Sequence, residues 1–179
     1  MTEQYVVTPL SQIINDYGDE STKKLLCQFN PYVDDSVSDF LMKKAIPMER
    51  RDLSRTFVAI SVDRRVMGFV TIGMKCIRIP KKNMLTGTVL RQCNIEKSTG
   101  VAQAFLIGQL ARSIDSPKGF GKDMMEYAIG RLREAKEIVG CRMVRLDCSN
   151  DLVEYYKENG FKPIRSNDGS NLTQMMIFI

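Results

Sequence analysis

Two segments of this chain carry residues whose types and spacing could do chemistry. The first is QAFLIGQLARSIDSPKGFGKDMM, Gln103 to Met125. An apolar run passes into a short polar loop holding Gly119 and Gly121, and an amphipathic helical pattern starts at once. The first backbone amides of a helix have no partner inside it and carry the positive end of its dipole. Glycines let a phosphate come close to that backbone, and two lysines add charge. Lys118, Gly119, Phe120, Gly121 and Lys122 therefore form a candidate diphosphate cradle. The spacing matches neither the phosphate loop that ends in Gly-Lys-Ser/Thr nor the dinucleotide turn with its third glycine. A Gly-x-Gly turn that only packs a strand on a helix looks the same, so this segment alone leaves both readings open.

The second segment is LDCSNDLVEYYKENGFKPI, Leu146 to Ile164. It reads as a strand, a short helix carrying Tyr155 and Tyr156, a stop at Asn159-Gly160 and another strand. The chain has no histidine. That excludes a Ser-His-Asp triad, a Cys-His pair, a histidine zinc site and an imidazole proton shuttle. Acid–base work must fall to carboxylates, tyrosine, lysine or cysteine, and a tyrosine with an ordinary pKa of about 10 stays protonated at neutral pH.

Composition narrows the class further. With 179 residues, 44% hydrophobic and 26% charged, the chain has material for one substantial core and needs no staple. Its 5 cysteines are scattered, with no C-x-x-C pair, so they read as reduced core thiols and no metal site is expected. No apolar run nears the roughly 18 residues of a membrane span, and Met1 to Leu10 lacks a signal pattern. A cytoplasmic protein without membrane contact is expected. The net charge of +5 suits anionic partners, and equally a solvated basic surface.

The elements that must position these segments can be read along the chain. Leu10, Ile13 and Ile14 fall at helical spacing, and a further helix is expected near Ser21 to Phe29, stopped at Asn30-Pro31. Val37, Phe40, Leu41 and Ala45 share a helical face that Pro47 should end. Thr56 to Val62 and Val66 to Ile72 read as a hairpin around Asp63-Arg64-Arg65. Lys81 to Gly100 reads as an irregular basic insertion. Gln103 to Ala111 reads as a central strand and Met124 to Val139 as one long helix face. Met143 to Cys148, Phe161 to Ile164 and Met175 to Ile179 read as strands, the last two joined by a turn-rich loop from Ser166 to Asn171. The order gives one α/β domain spanning residues 1–179.

The two chemical segments together resemble the GNAT N-acetyltransferase superfamily. Gly119-Phe120-Gly121 is similar to the end of that family's (Q/R)-x-x-G-x-(G/A) pyrophosphate loop. Tyr155-Tyr156-Lys157-Glu158-Asn159-Gly160-Phe161 is similar to its tyrosine signature. Ser116 replaces the Gln or Arg that opens the loop, and Pro117 has no amide proton to donate. The resemblance implies a mixed central sheet flanked by helices, splayed to leave a cleft, and acetyl-CoA as the acyl donor. It implies that the pantetheine arm pairs with backbone near Leu110, Ala111 and Arg112, that Asn150 lies at the cofactor, and that Tyr156 is the general acid for direct transfer to an amine. Tyr155 is expected to be the core residue of the pair.

The implied acceptor is a small-molecule or protein amine. A catalytically inactive CoA-binding module is a further reading. Phe29, Asp34 to Leu41 and Leu53 to Val58 resemble the opening of the tRNA-acetylating toxin branch, whose acceptor is aminoacyl-tRNA. That branch implies tRNA and an antitoxin as partners, with a homodimer left open. Arg50, Arg51, Arg55, Arg78, Lys81, Lys82 and Arg91 could then form a tRNA patch, or only a solvated surface.

Overall fold

The computed structural model describes residues 5–32, 35–166 and 171–179. Asp34 and residues 167–170 of the turn-rich loop lie outside the described residues. The chain divides into two compact units: Met1–Gly73 with Gly108–Gly130, and Met74–Ile107 with Arg131–Ile179.

The first unit holds β1 (Tyr5–Pro9), α1 (Leu10–Leu26), α2 (Asp35–Lys43), α3 (Ala45–Arg50), β2 (Arg55–Ser61) and β3 (Val66–Met74). It also takes the later part of β6 (Phe105–Arg112) and the start of α5 (Phe120–Val139). Its strands lie in the order β1-β2-β3-β6. The hairpin forms as its alternation requires, with Thr56 opposite Thr71 and Val58 opposite Phe69. Leu10, Ile13 and Ile14 of α1, with Phe29, Leu41 and Ile46, bury against Val58, Val66 and Phe69. That apolar stripe at i, i+3, i+4 holds α1 on the sheet.

Three details differ from the sequence reading. The two expected N-terminal helices join as α1, broken at Gly18, where φ is 74°. The Thr22 hydroxyl donates to the Gly18 carbonyl at 2.7 Å across the break. Pro47 does not end a helix. It sits in the first turn of α3, where its missing N–H would have had no partner. Arg50 and Arg55 are not free cations: Arg50 pairs with Asp19 at 2.7 Å, and Arg55 with Asp52 at 2.6 Å and Glu49 at 3.4 Å.

The second unit holds β4 (Ile77–Arg78), α4 (Gly87–Gln92), β5 (Val101–Ala102), the start of β6, the end of α5, β7 (Met143–Ser149), α6 (Val153–Glu158), β8 (Lys162–Ser166) and β9 (Leu172–Phe178). Its main strands lie in the order β6-β7-β9-β8, with β6 common to both units. β9 starts at Leu172 rather than Met175, because it pairs along all of β7, from Ser149 opposite Leu172 to Met143 opposite Phe178. The insertion expected to be irregular, Lys81 to Gly100, contains α4 and is flanked by the two strands of the β4–β5 ribbon. The Thr86 hydroxyl caps α4 by accepting from the Val89 amide at 3.4 Å. Ile77, Ile79, Val89, Cys93 and Ala102 pack with Met143, Ile164 and Met176 in one core. Two apolar turns are too short to show a period, so the sequence hid them.

Cys93, Cys141 and Cys148 are buried as expected of core thiols, whereas Cys27 and Cys76 are exposed. Among the described residues no helix is long and apolar enough to cross a membrane.

Candidate active site

The anion cradle lies at the end of β6. Ser113 to Gly119 form the loop, and α5 begins at Phe120. Gly119 has φ 91°, a conformation that side chains rarely adopt, and a Cβ there would point into open space. Lys118, Gly119 and Lys122 are exposed. The amides of Phe120 and Lys122 are already used, donating to Pro117 at 3.2 Å and Gly119 at 2.9 Å. Those of Lys118, Gly119 and Gly121 have no hydrogen bond among the described residues. The donors available to an anion are therefore three amides and the Lys118 side chain, with Lys122 shared with Glu126 at 3.8 Å, a set that fits a diphosphate.

Phe120 serves the cradle from beneath. Its ring is 1% exposed and packs edge-on against Tyr5 at 5.0 Å. Gly68 in β3 makes room for it: a Cβ there would lie 2.5 Å from the Ala111 carbonyl oxygen and 2.5 Å from Phe120 Cε1. Ser116, standing where the family has Gln or Arg, is buried, and its hydroxyl donates to the Ser113 carbonyl at 2.7 Å. It stiffens the loop and does not reach outward.

The edge of β6 is open over a short stretch. Among the described residues its parallel ladder with β7 runs through Phe105 opposite Val144 and Leu106 opposite Arg145 and no further. Along a strand, successive residues turn their polar backbone groups to opposite edges. Ser113 donates to Met67 on the β3 side at 2.8 Å, and the Ala111 carbonyl also faces β3. Leu110 and Arg112 therefore face the other edge. The Arg112 carbonyl is taken by the Tyr32 amide at 3.0 Å, and the Arg112 guanidinium lies 3.6 Å over the Tyr32 ring. Of the three residues expected to hold the pantetheine arm, Leu110 offers the open rung, Arg112 only its amide, and Ala111 is committed to the sheet.

The second unit holds the tyrosines. Tyr156 is the buried one, at 7% exposure, and Tyr155 is half-buried, the reverse of the expected assignment. On α6 the Tyr156 ring meets Tyr155 at 5.3 Å and Phe161 at 5.6 Å, both edge-on. Burial, then the nearby Cys148 and Tyr155, push its hydroxyl well above the ordinary tyrosine pKa, so it holds its proton through the neutral and alkaline range. Burial likewise pushes the Cys148 thiol up to about 11, which leaves it a poor nucleophile at neutral pH. Asn150 is occupied. Its side-chain nitrogen donates to Asn171 at 2.7 Å and its oxygen accepts from Thr173 at 2.8 Å. It staples the turn after β7 to the start of β9. Among the described residues no cluster of three metal-ligating side chains occurs.

Sequence reasoning missed Gly68 and Tyr32. A glycine inside a β-rich run signals close approach of another backbone, and that signal was present. Tyr32 follows Asn30-Pro31, and nothing local announces that the segment adds to the edge of β6 through Pro31 and Ser113.

No protein-family model and no curated protein matches the chain. Solved structures do. AtaT complexed with acetyl-methionyl-tRNAfMet matches at 16% identity, over 98% of this chain and 95% of that one, with a TM-score of 0.70. A Tyr-to-Phe variant of KacT matches at 15% identity, over 96% and 94%, with a TM-score of 0.74. AtaTR bound with acetyl-CoA matches at 17% identity, over 97% and 93%, with a TM-score of 0.67.

The chain has the GNAT acetyltransferase fold. In this chain the glycine loop follows β6 and precedes α5, and the two tyrosines lie on α6.

Proposed function

We propose that this chain is an acetyl-CoA-dependent N-acetyltransferase whose acceptor is the α-amino group of an aminoacyl-tRNA, with residues 1–179 working as one GNAT domain. The observation that carries the reading is the open rung at Leu110 followed directly by the loop with three unbonded amides at Lys118, Gly119 and Gly121. An extended arm and a diphosphate need those two features in that order. The acceptor is inferred from the neighbours, one of which is complexed with acetyl-methionyl-tRNAfMet. They favour it over the small-molecule or protein amine that the sequence put first. AtaT also occurs bound to the C-terminus of the antitoxin AtaR, and this supports a protein antitoxin as a partner here.

Coenzyme A would supply the acetyl group as an activated thioester. Leu110 would hold the arm, and the amides of Lys118, Gly119 and Gly121 with the Lys118 and Lys122 side chains would hold the diphosphate. In direct transfer a C–N bond forms as the C–S bond breaks, and the sulfur must receive a proton. Tyr156 keeps one at its phenolic oxygen. The amine's own surplus proton passes to solvent. No histidine or covalent enzyme intermediate is needed.

Acetyl-CoA at a hundred times its Kd should stabilise the fold by about 2.7 kcal/mol, raising Tm by roughly 5–10 °C. Gly119→Val should largely abolish that rise, since a β-branched residue cannot keep the left-handed turn without moving the cradle. Thermal melts with acetyl-CoA, and with acetate as control, decide it. An unchanged Tm in the wild type contradicts the donor assignment and would leave a GNAT fold without its cofactor.

A further inference from the structure

The charge of this chain is concentrated in one place. Residues 75–100 carry six basic side chains, Lys75, Arg78, Lys81, Lys82, Arg91 and Lys97, against the single acid Glu96. That surplus of five equals the net charge of the whole protein. All six are exposed, and none is in an ion pair among the described residues. Elsewhere basic residues are commonly compensated: Lys43 by Asp39, Arg50 by Asp19, Arg55 by Asp52, Lys157 by Glu154. The exposed Glu96 accepts from the hydroxyls of Ser98 and Thr99, at 3.0 and 2.7 Å, and is in no ion pair among the described residues.

The charges ride on a folded body. Ile79 donates to the Gly100 carbonyl at 3.0 Å, and Met84 to the Ile164 carbonyl of β8 at 2.8 Å. The Arg142 guanidinium holds the Gln92 carbonyl at the end of α4. With its apolar side seated on Met143, Ile164 and Met176, the segment presents a fixed array of cations. Unpaired exposed cations in a fixed array attract a polyanion, and its binding is driven by release of condensed counterions. The segment contains no aromatic residue, so base stacking plays no part and contact is to phosphates.

We propose that the residue 75–100 module docks the phosphodiester backbone of the acceptor RNA. This rests on the reading that the acceptor is a tRNA. The module adds affinity that does not depend on sequence, and the amino acid is read elsewhere.

The test is equilibrium binding of deacylated tRNA to the full chain across a NaCl series. The wild type should lose affinity steeply with salt. The Lys81→Ala, Lys82→Ala, Arg91→Ala triple variant should bind at least tenfold more weakly near 0.1 M salt. Its slope of log K against log salt should be shallower by about 2, since each lost phosphate contact removes roughly 0.7–0.9. Acetyl-CoA should still raise its Tm as in the wild type, which shows the fold is kept. Removing two cations from other surfaces, by Lys43→Ala with Lys157→Ala, should leave the slope unchanged. A triple variant with the wild-type slope overturns the proposal, as does displacement of tRNA by polyglutamate at equal charge. Salt-dependent docking lost in the variant, without acetylation of any aminoacyl-tRNA, would keep the dock and reject the acceptor. Acetylation with the same KM in both proteins would do the reverse.

Discussion

Tyr156→Phe should lower kcat by about ten- to a thousandfold and leave acetyl-CoA affinity unchanged. A positioned proton donor typically contributes about 10²–10⁴ to a rate, and this change removes only an oxygen. The ring keeps its edge contacts with Tyr155 and Phe161, so the helix and its packing survive. The pH dependence adds a second check with a definite sign. Burial raises the Tyr156 pKa above its ordinary 10.0, so the acid form persists as pH climbs through that value. The wild-type rate should not fall near pH 10 through loss of this proton, within the range where the protein stays folded. A variant with full activity would leave proximity and orientation as the whole of catalysis. Steady-state kinetics with a saturating donor, alongside direct measurement of acetyl-CoA binding, separates the outcomes.

Gly68→Val should destabilise the protein by about 3 kcal/mol, a Tm loss of roughly 6–12 °C. The first added carbon would lie 2.5 Å from a backbone oxygen, that of Ala111, and 2.5 Å from the Phe120 ring. Neither is the free end of a flexible chain, so β3 and β6 must part or Phe120 must leave its place beneath the cradle. Acetyl-CoA binding should therefore fall together with stability. Gly130→Ala is the control on the same helix that Phe120 begins. A Cβ there meets nothing within 4 Å, and alanine should gain about 0.5–1 kcal/mol over glycine in a helix. Paired melts and binding isotherms of the two variants test this. A Gly68→Val protein as stable as the wild type would mean that the close packing of Ala111 and Phe120 is not what the glycine serves.

The parts that could be read from sequence share a physical reason: their signal is local and periodic. The alternation of Thr56–Ile72 made the hairpin, the long stripe from Met124 to Val139 made α5, and Gly119-Phe120-Gly121 marked where that helix begins. What escaped depends on partners far along the chain. Which of Tyr155 and Tyr156 is buried is set by Phe161 and by the sheet under α6. That Asn150 is stapled depends on Asn171 and Thr173. That Arg50 and Arg55 are neutralised depends on Asp19, across α1, and on Glu49 and Asp52. The basic insertion looked irregular because α4 has only six residues and the ribbon strands that flank the insertion have two each. Its order comes from the core beneath it.

The most direct test of the acceptor assignment is transfer itself. Purified protein, labelled acetyl-CoA and a pool of aminoacyl-tRNAs should give acid-precipitable label that mild alkali releases as N-acetylated amino acid. The same tRNAs stripped of their amino acids should take up none. Transfer to small amines or protein lysines, with aminoacyl-tRNA left untouched, would contradict the account.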